Sequence, residues 1–250
     1  MDPAVLREDM VDGLEHEAKA VLEGERVAVA MREVPREAFV PDERTAYADR
    51  EHDRLGTRVL SPSDAARLLR ELDPRPGDSV LVVGAGVGYT VALAAELAGA
   101  RNVHAVEIAR PVVYEARENL GRAGYGEVLV DCRDGARGLP EYAPFDRILV
   151  EAATVDPPGA LVEQLADDGR LVYPKGPGRG SQRIERVDGP DFDPEGSEEG
   201  EARISLSPLL VSGEQSGAIE RDRTAREDDE HARRRAESRT GWEHDWLEWE

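Results

Sequence analysis

The stretch Val80-Leu81-Val82-Val83-Gly84-Ala85-Gly86-Val87-Gly88-Tyr89 decides the fold. Four consecutive apolar residues read as a strand buried on both faces. The glycines that follow read as a tight turn, and Thr90 to Ala98 as the helix it opens. A strand, a glycine turn and a helix in that order let backbone approach a ligand closely. They also present helix N-terminal N–H groups to it. The spacing is G-x-G-x-G, with the third glycine one residue earlier than in G-x-G-x-x-G. It therefore does not fit the dinucleotide pyrophosphate cradle, and an NAD-dependent oxidoreductase is disfavoured.

Outward from this turn, apolar runs alternate with helical stretches. Val103 to Val106, Val128 to Val130, Ile148 to Val150 and Leu171 to Tyr173 read as strands. Pro111 to Ala123 and Ala160 to Leu165 read as helices. The pattern predicts an α/β fold, a doubly wound, mostly parallel, Rossmann-like sheet. Glu107 closes the second strand, 23 residues after Gly84. An acid there can accept both hydrogens of a ribose diol. Glycine turn and acid together imply a nucleoside-containing ligand, with Gly84, Ala85, Gly86, Gly88 and Glu107 as its binding residues. Asp134-Gly135 follows the third strand, as a binding pair or as a turn former. Asp146 enters the fourth strand and Glu151 leaves it, at the rim where open α/β sheets bind ligands.

Composition bounds the rest. The chain has 250 residues, 40% hydrophobic, 34% charged and 5% aromatic. That length accommodates one sizeable domain with a small appendage. No apolar run is long enough to cross a bilayer, and the N-terminus lacks the pattern of a secretory signal, so a cytoplasmic protein is expected. Cys132 is the single cysteine, which excludes an internal disulfide. The five histidines show no metal-ligand spacing, so no metal is assigned. Asp and Glu number 53 against 32 Lys and Arg, a formal net charge of -21. Such a surface disfavours nucleic-acid binding. With only Lys19 and Lys175 as lysines, it fits a halophilic protein, whose self-repulsion concentrated salt would screen.

Three regions are expected. Residues 1–75 read as a helical N-terminal lid and substrate segment, with Val5 to Val21 and Ala65 to Leu72 helical and Val34 to Pro62 irregular. Residues 76–217 form the nucleoside-binding α/β domain, with an acidic loop over 188–201. In it, Arg183 to Val187 and Ile204 to Leu206 read as an antiparallel β addition. Residues 218–250 read as a charged helical tail carrying Trp242, Trp246 and Trp249, for docking on the body or on a partner.

The glycine turn with Glu107 resembles the class I S-adenosylmethionine-dependent methyltransferases. Further motifs resemble the protein-L-isoaspartate O-methyltransferases in particular. These are Val34-Pro35-Arg36-Glu37-Ala38-Phe39-Val40-Pro41, Tyr47-x-Asp49, Asp134-Gly135, Ala143-Pro144-Phe145-Asp146 and Ser207-Pro208-Leu209-Leu210. The resemblance covers about residues 25–215. It implies methyl transfer from S-adenosylmethionine to the carboxylate of L-isoaspartyl residues in damaged proteins, by a monomer or weak dimer. Glu107 would hold the ribose and Asp134 the adenine. One segment departs from the pattern. Where the family carries G-Q-T-I-S-x-P, this chain has Gly56-Thr57-Arg58-Val59-Leu60-Ser61-Pro62. Counted from Pro62 the family serine falls on Leu60, and counted from Tyr47 on Ser61. Ser61 is the catalytic candidate, with a helix N-cap as its other reading, and Arg58 is a candidate for a substrate carboxylate. The departure keeps two alternatives open: a methyltransferase with another substrate, such as a small molecule or RNA, and a cofactor-binding protein without catalysis.

Overall fold

The computed structural model describes residues 2–16, 21–22, 25–176, 181–189 and 203–211. The acidic loop from 190 to 201 and the tryptophan-bearing tail lie outside the described residues. Helix α1 (Pro3–Glu15) starts on Asp2, whose side chain accepts the Ala4 N–H. It is shorter than the Val5 to Val21 reading. Helix α2 (Glu25–Glu33) packs against it, and Arg32 reaches across to Glu8, Asp12 and Glu15.

The Val34 to Pro62 segment contains a hairpin that the sequence reading leaves irregular. Strands β1 (His52–Arg54) and β2 (Thr57–Val59) pair antiparallel around Leu55-Gly56. Both turn residues have positive φ, 50° and 74°. A two-residue turn of this kind ordinarily carries Asn or Asp ahead of Gly. Leucine in that place hides the signal. Helix α3 (Pro62–Leu72) follows and ends at Asp73 in the left-handed region.

The main sheet then builds up as expected, in the sequence β3 (Val80–Val83), α4 (Tyr89–Ala98), β4 (Val103–Glu107), α5 (Arg110–Arg122), β5 (Leu129–Cys132) and β6 (Phe145–Val150). A four-residue helix, α6 (Gly159–Val162), leads to β7 (Leu165–Lys175), β8 (Gln182–Asp188) and β9 (Arg203–Ile204). The α6 reading of Ala160 to Leu165 is corrected at its end, because Leu165 already pairs with Phe145 in the sheet. Strand order is β5-β4-β3-β6-β7-β8-β9. The first five are parallel; β8 and β9 add antiparallel.

All four residues of β3 are fully buried, because both faces of the sheet are covered. Val80 and Val82 join a cluster with α3, α4 and the N-terminal helices, down to Met10 and Leu14. Leu81 and Val83 face a second cluster with Ile148, Leu171 and Tyr173. Each such side chain contributes about 1.5–3 kcal/mol by leaving water. The chain runs from β3 to β4 and β5 on one side and returns to β6 on the other. Strand order therefore reverses between β3 and β6, which opens a crevice at their carboxyl ends.

Candidate functional site

That crevice is a pocket with about 900 Å³ of empty space, counting its open mouth. Its floor is the tips of β3, β4 and β6 and the turn after β5, through Gly84, Glu107, Glu151 and Gly135. Its wall is Gly56 to Leu60 on one side and Leu206 to Leu210 on the other.

The floor is shaped by absent side chains. Gly84 has φ +87°, and a Cβ there would lie 3.2 Å from the Glu151 carbonyl oxygen. A Cβ on Gly135 would lie 2.5 Å from Val83 Cγ1. Gly88 serves a different purpose: it caps α4 with φ +99° and lies against Leu120 and Ala116 of α5. Ala85 hydrogen-bonds through its N–H to the Val106 carbonyl, at 3.0 Å. Neither it nor Gly86 nor Gly88 is among the lining residues.

Glu107 is held by the turn it faces. Its Oε2 accepts the Gly86 N–H at 3.2 Å, and its Oε1 accepts the Ala109 N–H at 2.9 Å. Asp134 does not line the pocket; its Oδ1 accepts the Ala136 N–H and closes the turn that seats Gly135. Glu151 lines the pocket beside them. Burial pushes its carboxyl up to about 8, and Glu107 adds to the rise. Hydrogen bonding with the Thr90 side chain works in the opposite direction.

On the wall, Leu60 lines the pocket and Ser61 does not. Ser61 caps α3: its Oγ accepts the Asp64 N–H at 3.1 Å and donates to Asp64 Oδ2 at 2.9 Å. Asp49, from the Tyr47-x-Asp49 motif, binds Ser63 through both its backbone N–H and its hydroxyl. Arg58 brings a positive charge to the wall, between Glu51 at 2.8 Å and Ser207 Oγ at 3.5 Å. The Ser207 segment docks on the β6 tip: its carbonyl accepts the Ala153 N–H, and the Ala153 carbonyl accepts that of Leu209.

One residue that sequence reading leaves without a role proves central. Arg36 is fully buried. It donates to the carbonyls of Ala46, Arg50 and Leu60 and lies over the Tyr89 ring, 4.4 Å from its centre. It therefore ties the wall to the start of α4. Its place inside the Val34 to Pro41 motif was the available signal.

A glycine turn and an acid tip, placed at the switch point of a doubly wound sheet, define a class I S-adenosylmethionine-dependent methyltransferase. Comparison with known proteins narrows the class. The family model of the protein-L-isoaspartate(D-aspartate) O-methyltransferases matches residues 7–202. A protein-L-isoaspartate O-methyltransferase of Pyrobaculum arsenaticum is 45% identical over 66% of this chain and 82% of its own length. One from Aeropyrum pernix is 50% identical over 60% of each chain, so this chain spans less than two thirds of that relative. Among solved structures, a protein-L-isoaspartate O-methyltransferase superposes with a TM-score of 0.67, at 24% identity over 82% of this chain and 67% of its own. A putative one from Plasmodium falciparum, in complex with S-adenosyl-L-homocysteine, gives 0.66 at 20% identity, over 82% and 97%. The chain belongs to the protein-L-isoaspartate O-methyltransferase family.

Proposed function

We propose that the chain moves a methyl group from S-adenosylmethionine to the free carboxylate of L-isoaspartyl residues in damaged proteins. One observation carries the reading: one pocket joins the strand-tip groups suited to a nucleoside with the Gly56 to Leu60 and Ser207 to Leu210 segments, which resemble the family's motifs. The residues present fit the cofactor. Gly84 and Gly135 lack the Cβ that would press on the Glu151 carbonyl and on Val83, so the strand tips close together on the floor, and the Glu107 carboxylate lines the pocket at the tip of β4, where an acid suits a ribose diol.

When bound, S-adenosylmethionine supplies an electrophilic methyl on a positively charged sulfur. Glu107 holds the ribose. Asp134 serves the adenine by seating Gly135. The acceptor carboxylate is ionised at neutral pH and needs no general base. The chain's work is therefore orientation and exclusion of water. Arg58 and the Ser207 hydroxyl draw the carboxylate to the wall, by charge and hydrogen bond. Ser61 is a positioning residue: it anchors α3 and so sets Leu60 into the pocket. The methyl ester formed closes to a succinimide with loss of methanol, and hydrolysis reopens part of it as normal aspartate.

Among the described residues no helix is long and apolar enough to cross a membrane. The excess of acid supports a setting in a salt-rich cytoplasm, where screening lets a polyanionic enzyme approach an anionic substrate. The test is transfer of labelled methyl to an isoaspartyl peptide in molar KCl, beside the matching aspartyl peptide. Transfer to the isoaspartyl peptide alone is expected. No transfer with cofactor binding intact would redirect the reading to another acceptor or to a non-catalytic role.

A further inference from the structure

Glu151 occupies the switch point itself. Val83 of β3 is in register with Val150 of β6, so Glu151 stands beside Gly84 at the crevice. The missing Gly84 side chain would lie 3.8 Å from Glu151 Cβ. The pocket floor thus carries two carboxyl groups, and their surroundings differ. Both oxygens of Glu107 are engaged by backbone N–H groups. Glu151 Oε2 is closed off from solvent and has no hydrogen-bond partner among the described residues. A buried carboxyl oxygen left so is costly unless the group stays neutral or a cation arrives. The charged group acting on it is Glu107, from β4; Arg58, engaged with Glu51, lines the same pocket from the wall. From α4, only the uncharged Thr90 side chain reaches it.

S-adenosylmethionine and its product differ by one methyl group and one positive charge on sulfur. We infer that Glu151 is the group by which this pocket tells the charged methyl donor from its uncharged thioether product, acting as counter-ion to the sulfonium. The inference rests on the pocket being the S-adenosylmethionine site. With its carboxyl pushed up to about 8, Glu151 is mostly protonated in the empty pocket at neutral pH. Donor binding favours the carboxylate and releases a proton to solvent. Once the sulfur has lost its charge, the carboxylate takes a proton back, and the attraction ends. Product release is thereby eased in the step where tight binding would otherwise inhibit turnover.

Calorimetric titration of the full chain with each compound, in buffers of differing ionisation enthalpy, tests this without catalysis. The donor is expected to release most of one proton per site at neutral pH, and the product far less. Between pH 6 and 8, donor affinity should rise about tenfold per pH unit and then level off, while product affinity stays flat. Glu151→Gln should remove the difference in proton release and bring the two affinities together. Equal proton release for the two compounds, or a difference that survives in Glu151→Gln, overturns the inference while leaving the cofactor reading intact. Failure of either compound to bind the wild-type chain overturns both.

Discussion

The floor and the wall of the pocket are built in opposite ways. The floor is the ends of parallel strands, whose register is set by backbone ladders and whose side chains are buried on both faces of the sheet. The wall is a three-pair hairpin and a C-terminal segment bonded to the tip of β6 through Ala153. A buried arginine and the caps of α3 hold the hairpin side in place. The floor inherits its precision from the fold. The wall depends on a few side chains, each of which can be removed singly.

Four substitutions break or sharpen this contrast. Glu107→Ala removes the carboxylate that holds the glycine turn and faces the cofactor. Binding of S-adenosylhomocysteine should weaken by about 4 kcal/mol, roughly a thousandfold by calorimetry. Arg36→Met strips three carbonyls of a charged donor. Urea unfolding should show a loss of about 3 kcal/mol, with the wall disturbed and the strand ladder intact by hydrogen exchange. Arg58→Ala should raise KM for an isoaspartyl peptide about tenfold and leave cofactor binding unchanged, since it touches only the wall. An equal loss of cofactor affinity would show that floor and wall are not separable. Ser61→Ala should cost about 1 kcal/mol of stability through the lost cap, and slow methyl transfer less than about threefold. A much larger loss of transfer at full stability would mean that Ser61 reaches the acceptor itself.

The contrast also explains what could be read in advance. Val80 to Val83, Gly84 and Glu107 were legible because strand burial, turn geometry and an acid at a strand tip are local patterns with fixed spacing. Arg183 to Val187 and Ile204 likewise fall in antiparallel edge strands, although Ile204 pairs with Gln182 just before the run. The hairpin at Leu55-Gly56 was not legible, because three-residue strands carry almost no periodicity and leucine replaces the usual turn residue. Leu60 against Ser61 was undecidable by counting. The α3 cap decides their placement here: with Ser61 turned to Asp64, its neighbour Leu60 meets the pocket. Asp134-Gly135 divides its labour, Asp134 closing the turn and Gly135 meeting the pocket.

By itself, then, the sequence determined a doubly wound sheet with a nucleoside-type turn at its centre, because hydrophobic period and glycine placement act over neighbouring residues. Only the tertiary structure decided that Arg36 braces the wall, that Arg58 meets Ser207, and that Glu151 shares the floor with Glu107. These contacts join residues far apart in the chain, and the Glu151 carboxyl is weakened as an acid by burial and a neighbouring charge. Neither exists until the strands are in register.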